Sequence, residues 1–377
     1  MPTAYSPVKC VTLCAGAGIG GMERIVQTLA HQCMKRGISN HVVLPNDPRA
    51  PETADWLAKI GVISEISPAL RHAFQPRDRH SGRQLTDYLS EHPSEVVNLH
   101  YCLNHVPLRD VIAVRRTGRR CVVSLHLGRV LDPSFQRREI WDTRRAAKLC
   151  EAIVVISGFQ KRFLVEAGVR ADCIHVIPGG VAIPRVPPQQ AKARRRLDLP
   201  LDSFIVATAA RLVASKGVSD IIEGMAYIPD QEQRLRLLVA GEGPERKALE
   251  ALSRTRLGER VRFFGHLDDM TDFYAAADIF ALVSHGESFG LVYAEAAGYG
   301  LPSIGTNVGG IPETIQHGRT GLLVPAREPA RLAAAIQFLW RDDLARHMIG
   351  QAARDRALAE FGERQMADRY LNILLPS

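Results

Sequence analysis

The sequence predicts an α/β protein made of two doubly wound domains, and three observations carry that prediction. Short apolar runs alternate with helical patterns along both halves of the chain. A segment dense in Pro and Gly, IPGGVAIPRVPPQQ (177–190), separates the halves, and 377 residues suffice for two domains with ample cores. Hydrophobic residues make up 46% and charged residues 23%, with 30 Gly and 22 Pro as punctuation, which excludes wholesale disorder and fibrous repeats.

Taken in order, VKCVTLCAG (8–16) reads as a first buried strand. It runs into a glycine loop and not into a small-residue cleavage site, so it is not read as a signal peptide. A helix from about Met22 to Lys35 follows, then the apolar strands HVVLP, VVNLHY, CVVSLHL and AIVVIS, separated by helical stretches. Strands spaced in this way form right-handed βαβ units and a parallel sheet. After the linker the pattern starts again with FIVATAARLV, RLRLLVAGEG, RVRFFGHL, DIFALVS, PSIGT and GLLVP. The stretch Leu344–Leu374 is helical by pattern, with a break at Gly362. The expected domains are 1–184, 185–355 and a last helix, 356–377, packing back on the first domain. Two such sheets facing each other place the carboxyl ends of their strands on the walls of a cleft, where ligands bind in this architecture.

Charge is unevenly spread. Residues 1–184 hold 24 Lys+Arg against 16 Asp+Glu, whereas 185–377 hold 24 of each, so the entire net charge of +8 belongs to the first half. The excess lies between Arg109 and Lys148, where eleven basic residues meet four acidic ones. Such a cluster suits phosphate, an acidic glycan or an anionic membrane face, and equally a solvated Arg-rich surface. All seven Cys lie at or before Cys173, an odd number without C-x-x-C, so neither a disulfide framework nor a zinc ribbon is indicated and a reducing cytoplasm fits best. No stretch approaches the ~18–20 apolar residues of a spanning helix.

The strongest chemical constellation is SHGESFGLVYAEAAGYGLPSIGTNVGGIPE (284–313). A helix is expected to begin near Ser288, with Glu287 before it and Glu295 about two turns inside. At ~1.5 Å per residue the two carboxylates then lie about 10 Å apart and cannot share a proton. The amides of Phe289, Gly290 and Leu291 at that helix start form an anion site between them. A hydroxyl-rich group on Glu287, a phosphate on the amides and a diol on Glu295 together have the layout of a nucleotide-sugar. Upstream, AARLVASKGV places Arg211 and Lys216 five residues apart after a strand, a pair of cations suited to a diphosphate.

These motifs resemble the GT-B glycosyltransferases of family 4, retaining enzymes that use nucleotide-sugars. The E-x7-E signature stands here as Glu287 to Glu295, between FYAAADIFALVSHG and GLPSIGTNVGGIPE with GRTGLLVP, and the resemblance covers nearly the whole chain. It implies a GT-B fold and a hexosyltransferase acting on a glycan or lipid-linked acceptor in envelope, capsular or extracellular polysaccharide synthesis. It assigns the donor-sugar hydroxyls to Glu287, the ribose to Glu295 and the diphosphate to Arg211 and Lys216. The loop GIGGMERIV (18–26), which is not a G-x-G-x-x-G fingerprint, would close on the diphosphate through Gly20 and Gly21, with Glu23 as a structural cap. His126, ending one apolar strand, corresponds to the family's His near the donor sugar; His100, ending another, is a weaker acceptor-side candidate. Loops at Glu242 and at His266 and Leu267 would line the base pocket.

The sequence departs from the common family pattern at Ser284-His285, where many members have Pro-Ser, and in IPGGVAIPR, which lacks the acidic residue that often follows the Gly-Val pair. No D-x-D triplet is present, so no metal cofactor is expected. The expected partners are the nucleotide-sugar, the acceptor and an anionic membrane surface met through Arg109 to Lys148, on the inner face of the cell membrane; no nucleic acid is expected. A GT-B epimerase or hydrolase of sugar-nucleotides, and a non-catalytic nucleotide-sugar-binding protein, are the competing readings.

Overall fold

The computed structural model describes residues 8–16, 20–70, 81–103, 105–126, 137–229 and 234–376, with Val8, Ser81, Arg137 and Arg138 described by backbone alone. The chain divides into two compact units, one formed by Met1–Gly180 with Glu363–Ser377, the other by Val181–Gly362.

In the first unit the strands are β1 (Val8–Cys14), β2 (Asn40–Pro45), β3 (Ser64–Ser67), β4 (Ser94–Tyr101), β5 (Arg120–Leu125), β6 (Ala152–Val155) and β7 (Ile174–Val176). They form one parallel sheet in the order β3-β2-β1-β4-β5-β6-β7. Its central strands are buried because helices cover both faces, and they are mostly apolar, with Thr12, Asn98, His100 and Ser124 as buried polar exceptions. Val11, Leu13, Val97, Leu99, Val123 and Leu125 belong to one core cluster, and Cys14, Val42 and Leu44 to another. The helix Glu363–Leu374 is an integral part of this unit: Met366, Ala367, Tyr370 and Leu374 are buried. Arg120 closes its carboxyl end, donating to Leu374 O (2.7 Å) and Ile373 O (3.0 Å), a cation on the negative pole of a helix.

The second unit contains β8 (Phe204–Ala209), β9 (Leu235–Ala240), β10 (Val261–Gly265), β11 (Ile279–Ala281), β12 (Ser303–Thr306) and β13 (Gly321–Val324). They are again parallel, in the order β10-β9-β8-β11-β12-β13. In each sheet the strand order reverses once, between β1 and β4 and between β8 and β11. In an open parallel sheet that reversal leaves a crevice at the carboxyl ends of the two strands, where connecting helices depart to opposite faces.

Candidate functional site

In the second unit the loops leaving β8, β9, β11 and β12 are fastened to one another by backbone hydrogen bonds. Leu212 N donates to Glu242 O (2.8 Å), His285 N to Ser215 O (2.8 Å) and Gly310 N to Glu287 O (2.9 Å). Two glycines permit this closeness. Gly217 (φ +67°) and Gly309 (φ +58°) both adopt left-handed backbone, and a Cβ at either would collide with a carbonyl oxygen, of Val283 and of Glu287 respectively.

The result is that Lys216, ending a short 3-10 turn after β8, forms an ion pair with Glu287 after β11, both side chains being largely buried. Glu287 Oε1 also accepts from Ser288 N (3.2 Å). His285 is held by Asp220, Nε2 to Oδ2 2.8 Å, in the first turn of the helix Val218–Ala226. Arg211 is exposed, and among the described residues it has no ion-pair partner.

The helix after Glu287 starts at Leu291, not near Ser288. Gly290 has φ +82°, which no helical residue adopts, and its lack of a side chain leaves room for the Tyr293 ring. Ser288 and Phe289 therefore form a bend before the helix, with Phe289 buried and its carbonyl accepting from Thr314 Oγ1 (2.7 Å). Of the first-turn amides, that of Tyr293 donates to Gly290 O (3.0 Å), which leaves those of Leu291 and Val292 without an intrahelical acceptor. Glu295 sits just past the first turn of this eight-residue helix, where Tyr274 donates its hydroxyl to Oε2 (2.7 Å). Tyr274 was not anticipated, although it belongs to the FYAAADIF stretch that carries the family resemblance. Asp220 and Gly309 also went unread, since only the folded loops reveal what they touch.

Glu242 is paired with Arg246 at the start of the next helix. His266 is half-exposed beside Asp268 (3.5 Å), and Leu267 packs on the aromatic cluster around Phe273 and Tyr274.

In the first unit Gly20 precedes the helix Gly21–Lys35. Its amide donates to Glu23 Oε2 (3.1 Å), so the buried carboxylate of Glu23 caps the helix through the loop itself. Residues 17–19 of that loop lie outside the described residues. His100 near the end of β4 and His126 after β5 meet directly, Nδ1 to Nε2 at 2.8 Å, with their rings nearly parallel. Burial depresses both imidazoles, His126 to about 3 and His100 well below its usual range, so both are neutral at physiological pH.

Several arginines of the basic stretch do not form a free surface patch. Besides Arg120, Arg115 pairs with Glu151 (2.9 Å), Arg119 Nε donates to Ser94 O (3.2 Å) and Arg144 Nε to Ala167 O (2.6 Å). Arg145 lies over the exposed Trp141 ring. Residues 127–136 of the stretch lie outside the described residues. No helix among them is long and apolar enough to cross a membrane.

Two family descriptions match the chain in tandem: Glycosyltransferase Family 4 over residues 19–185 and Glycosyl transferases group 1 over residues 189–356. N-acetyl-alpha-D-glucosaminyl L-malate synthase of Bacillus anthracis is 39% identical over 42% of this chain and 42% of its own length. D-inositol 3-phosphate glycosyltransferase of Xylanimonas cellulosilytica is 32% identical over 94% of this chain and 91% of its own. The first match thus spans less than half of that relative, and the second nearly all of it. Among solved structures, HepE of Anabaena in complex with UDP and glucose superposes with a TM-score of 0.82 over 98% of this chain and 100% of that one, at 22% identity.

Proposed function

Since the chain belongs to glycosyltransferase family 4 and has the GT-B fold, we propose that it moves a hexosyl group, with retention of configuration, from a UDP- or GDP-sugar to a glycan or lipid-linked acceptor in polysaccharide assembly. The observation that carries this reading is the Lys216–Glu287 pair beside the first-turn amides of the helix Leu291–Gly298, at the order reversal of the second sheet. A cation, a carboxylate and the amides of Leu291 and Val292 belong to neighbouring loops there, which suits a sugar joined to a diphosphate.

In this reading Arg211 and Lys216 stabilise the diphosphate as its charge grows during bond breaking. Those contacts strengthen in the transition state, so they act on turnover. Glu287 accepts from sugar hydroxyls and Glu295, oriented by Tyr274, from the ribose. His126 positions the sugar, and the leaving phosphate oxygen takes the acceptor's proton, so no carboxylate nucleophile is required and no metal is invoked. Gly20, Gly21, Glu242, His266 and Leu267 flank the donor, and His100 acts behind His126. The Arg109–Lys148 stretch meets an anionic surface at the cytoplasmic membrane face through those of its cations that remain exposed, among them Arg116 and Lys148.

The test is a thermal-shift screen of UDP-, GDP- and ADP-sugars followed by transfer assays with the stabilising donor. Bound donor raises the melting temperature by mass action. Stabilisation by none of them, or rapid consumption of donor without any acceptor, would refute transferase activity.

A further inference from the structure

Behind His126 runs a line of buried polar groups that the transfer chemistry does not itself use. The same pattern, a polar residue, Leu and His, occurs twice, as Asn98-Leu99-His100 on β4 and Ser124-Leu125-His126 at the end of β5. The strands pair in parallel with His100 opposite Ser124. Side chains alternate along a strand, so all four polar groups share one face of the sheet. Ser124 Oγ donates to Asn98 Oδ1 (3.1 Å), Asn98 Nδ2 lies 2.7 Å from His100 Nε2, and His100 Nδ1 lies 2.8 Å from His126 Nε2. Asn98, His100 and Ser124 are fully buried and His126 is 7% exposed. The ring of Tyr370, from the helix Glu363–Leu374, stacks on His100 with centroids 6.0 Å apart.

Each link in this line has a direction, and the directions are coupled. The serine hydroxyl occupies the amide oxygen of Asn98, which turns the amide NH2 toward His100. An amide nitrogen only donates, so His100 Nε2 accepts and the single proton of this neutral ring sits on Nδ1. That proton is donated to His126 Nε2, which leaves the proton of His126 on Nδ1. His126 Nδ1 ends the line: it is buried and has no hydrogen-bond partner among the described residues. Of the four ring nitrogens of His100 and His126, it is the one that no described residue engages.

We propose that Ser124, Asn98 and His100 are positioning residues that lock His126 in its Nδ1–H tautomer, making it a fixed neutral hydrogen-bond donor to a sugar oxygen and not a base. This rests on the reading above that His126 faces the sugar. It assigns the acceptor's proton to the leaving phosphate, because a nitrogen that already carries hydrogen cannot receive it.

The test is long-range proton–nitrogen correlation on the full chain labelled with [15N]histidine, with the His126 signal assigned by its loss in His126→Gln. Nδ1 of His126 is expected as the protonated nitrogen and Nε2 as the unprotonated one. A proton on Nε2 overturns the proposal with no assay of activity involved. In Asn98→Asp the carboxylate only accepts, so the proton of His100 moves to Nε2 and that of His126 is expected to follow. The rate constant kcat should fall at least about tenfold while KM for the donor changes little, about tenfold being the rate equivalent of one misdirected hydrogen bond. Should Asn98→Asp not fold, Ser124→Ala frees the amide to turn, and a mixture of tautomers with a smaller loss of kcat is expected. A reversed or mixed tautomer with kcat unchanged also overturns the proposal. Absence of transfer by the wild-type protein refutes the transferase reading instead, and is distinguishable because the tautomer is read without substrate.

Discussion

Beside the order reversal of the second sheet the candidate groups are ions, Lys216 against Glu287, held by loops whose backbones lock together. Beside the order reversal of the first they are neutral, with two imidazoles, an amide and a hydroxyl in a buried line held by adjacent strands. The difference follows from solvent and support. A partly exposed loop tolerates charge because water and a partner share the cost, whereas the face between strand and helix admits polar groups only when they are uncharged and mutually bonded. The ionic half is therefore suited to stabilising developing charge, and the neutral half to directing a hydrogen bond.

The sharpest way to break this contrast is Lys216→Ala. If the ammonium stabilises the departing diphosphate, kcat falls on the order of 10²–10³-fold in a protein that still folds, its melting temperature lowered because Glu287 loses its partner. Near-normal turnover would remove the ionic half from the mechanism. Raising salt should weaken donor binding to the wild type and leave the His126 tautomer untouched, since screening acts on exposed charge and not on buried neutral bonds.

Gly309→Ala tests the support. The added Cβ meets the carbonyl of Glu287 at a position with left-handed backbone, so the loop must shift. A loss of about 1–3 kcal/mol is expected in chemical denaturation, together with reduced kcat as Glu287 is displaced from Lys216. Gly318→Ala is the control. It also has positive φ but open space around it, so only the backbone strain of about 1 kcal/mol should appear, without loss of activity.

How much of this was legible in the sequence depends on the kind of interaction. Strands such as β8, β9 and β11 of the second sheet and the central strands of the first were readable because burial on both faces leaves mostly apolar runs, and the second sheet's partly exposed edges β10 (VRFFG) and β13 (GLLV) because they keep bulky apolar residues. The edge strands Ser64–Ser67 and Ile174–Val176 were not, since SEIS and IHV are short and half polar, as edges must be. Lys216 and Glu287 could be named from motif spacing, but their contact depends on Gly217 and Gly309 bringing two distant loops together. The helix start at Leu291 was missed because Gly290 reads as an ordinary glycine until its φ is known. His100 and His126 could be seen singly at strand ends; their bond depends on the register of β4 against β5. Arg120 looked like one more surface charge beside Arg119, and what turns it inward is a helix 250 residues away in sequence, whose end it closes.

Acid provides a test of the neutral half, in which the depressed His41, present in both proteins compared, contributes equally to each. His126 has an ordinary pKa near 6.5 when unfolded and about 3 when folded. Between those values the unfolded chain binds more protons, so stability is intact above about pH 6.5 and falls as pH drops below it, by up to about 1.4 kcal/mol per pH unit for one such group. His100 shifts in the same direction and adds to the slope. Denaturation curves of the wild type and His126→Gln between about pH 7 and 5 should therefore diverge, the variant losing less on acidification. Parallel acid limbs would mean that His126 carries a proton in the folded state.

The smallest expected effect concerns Glu295. Tyr274→Phe removes one hydroxyl and keeps the ring packed between Phe273 and Phe280. The carboxylate loses the donor that aims it but stays in place on its helix. A single hydrogen bond to a charged group contributes about 1.5–3 kcal/mol at most, and a solvated carboxylate recovers part of that from water. KM for the donor should consequently rise by about three- to tenfold with kcat nearly constant, because the ribose does not change charge during transfer and its contacts stabilise ground and transition states alike. A fall in kcat with KM unchanged would place Glu295 among the groups that act on the reacting bond, and would erase the division of labour between a carboxylate that orients the sugar and one that holds the nucleoside.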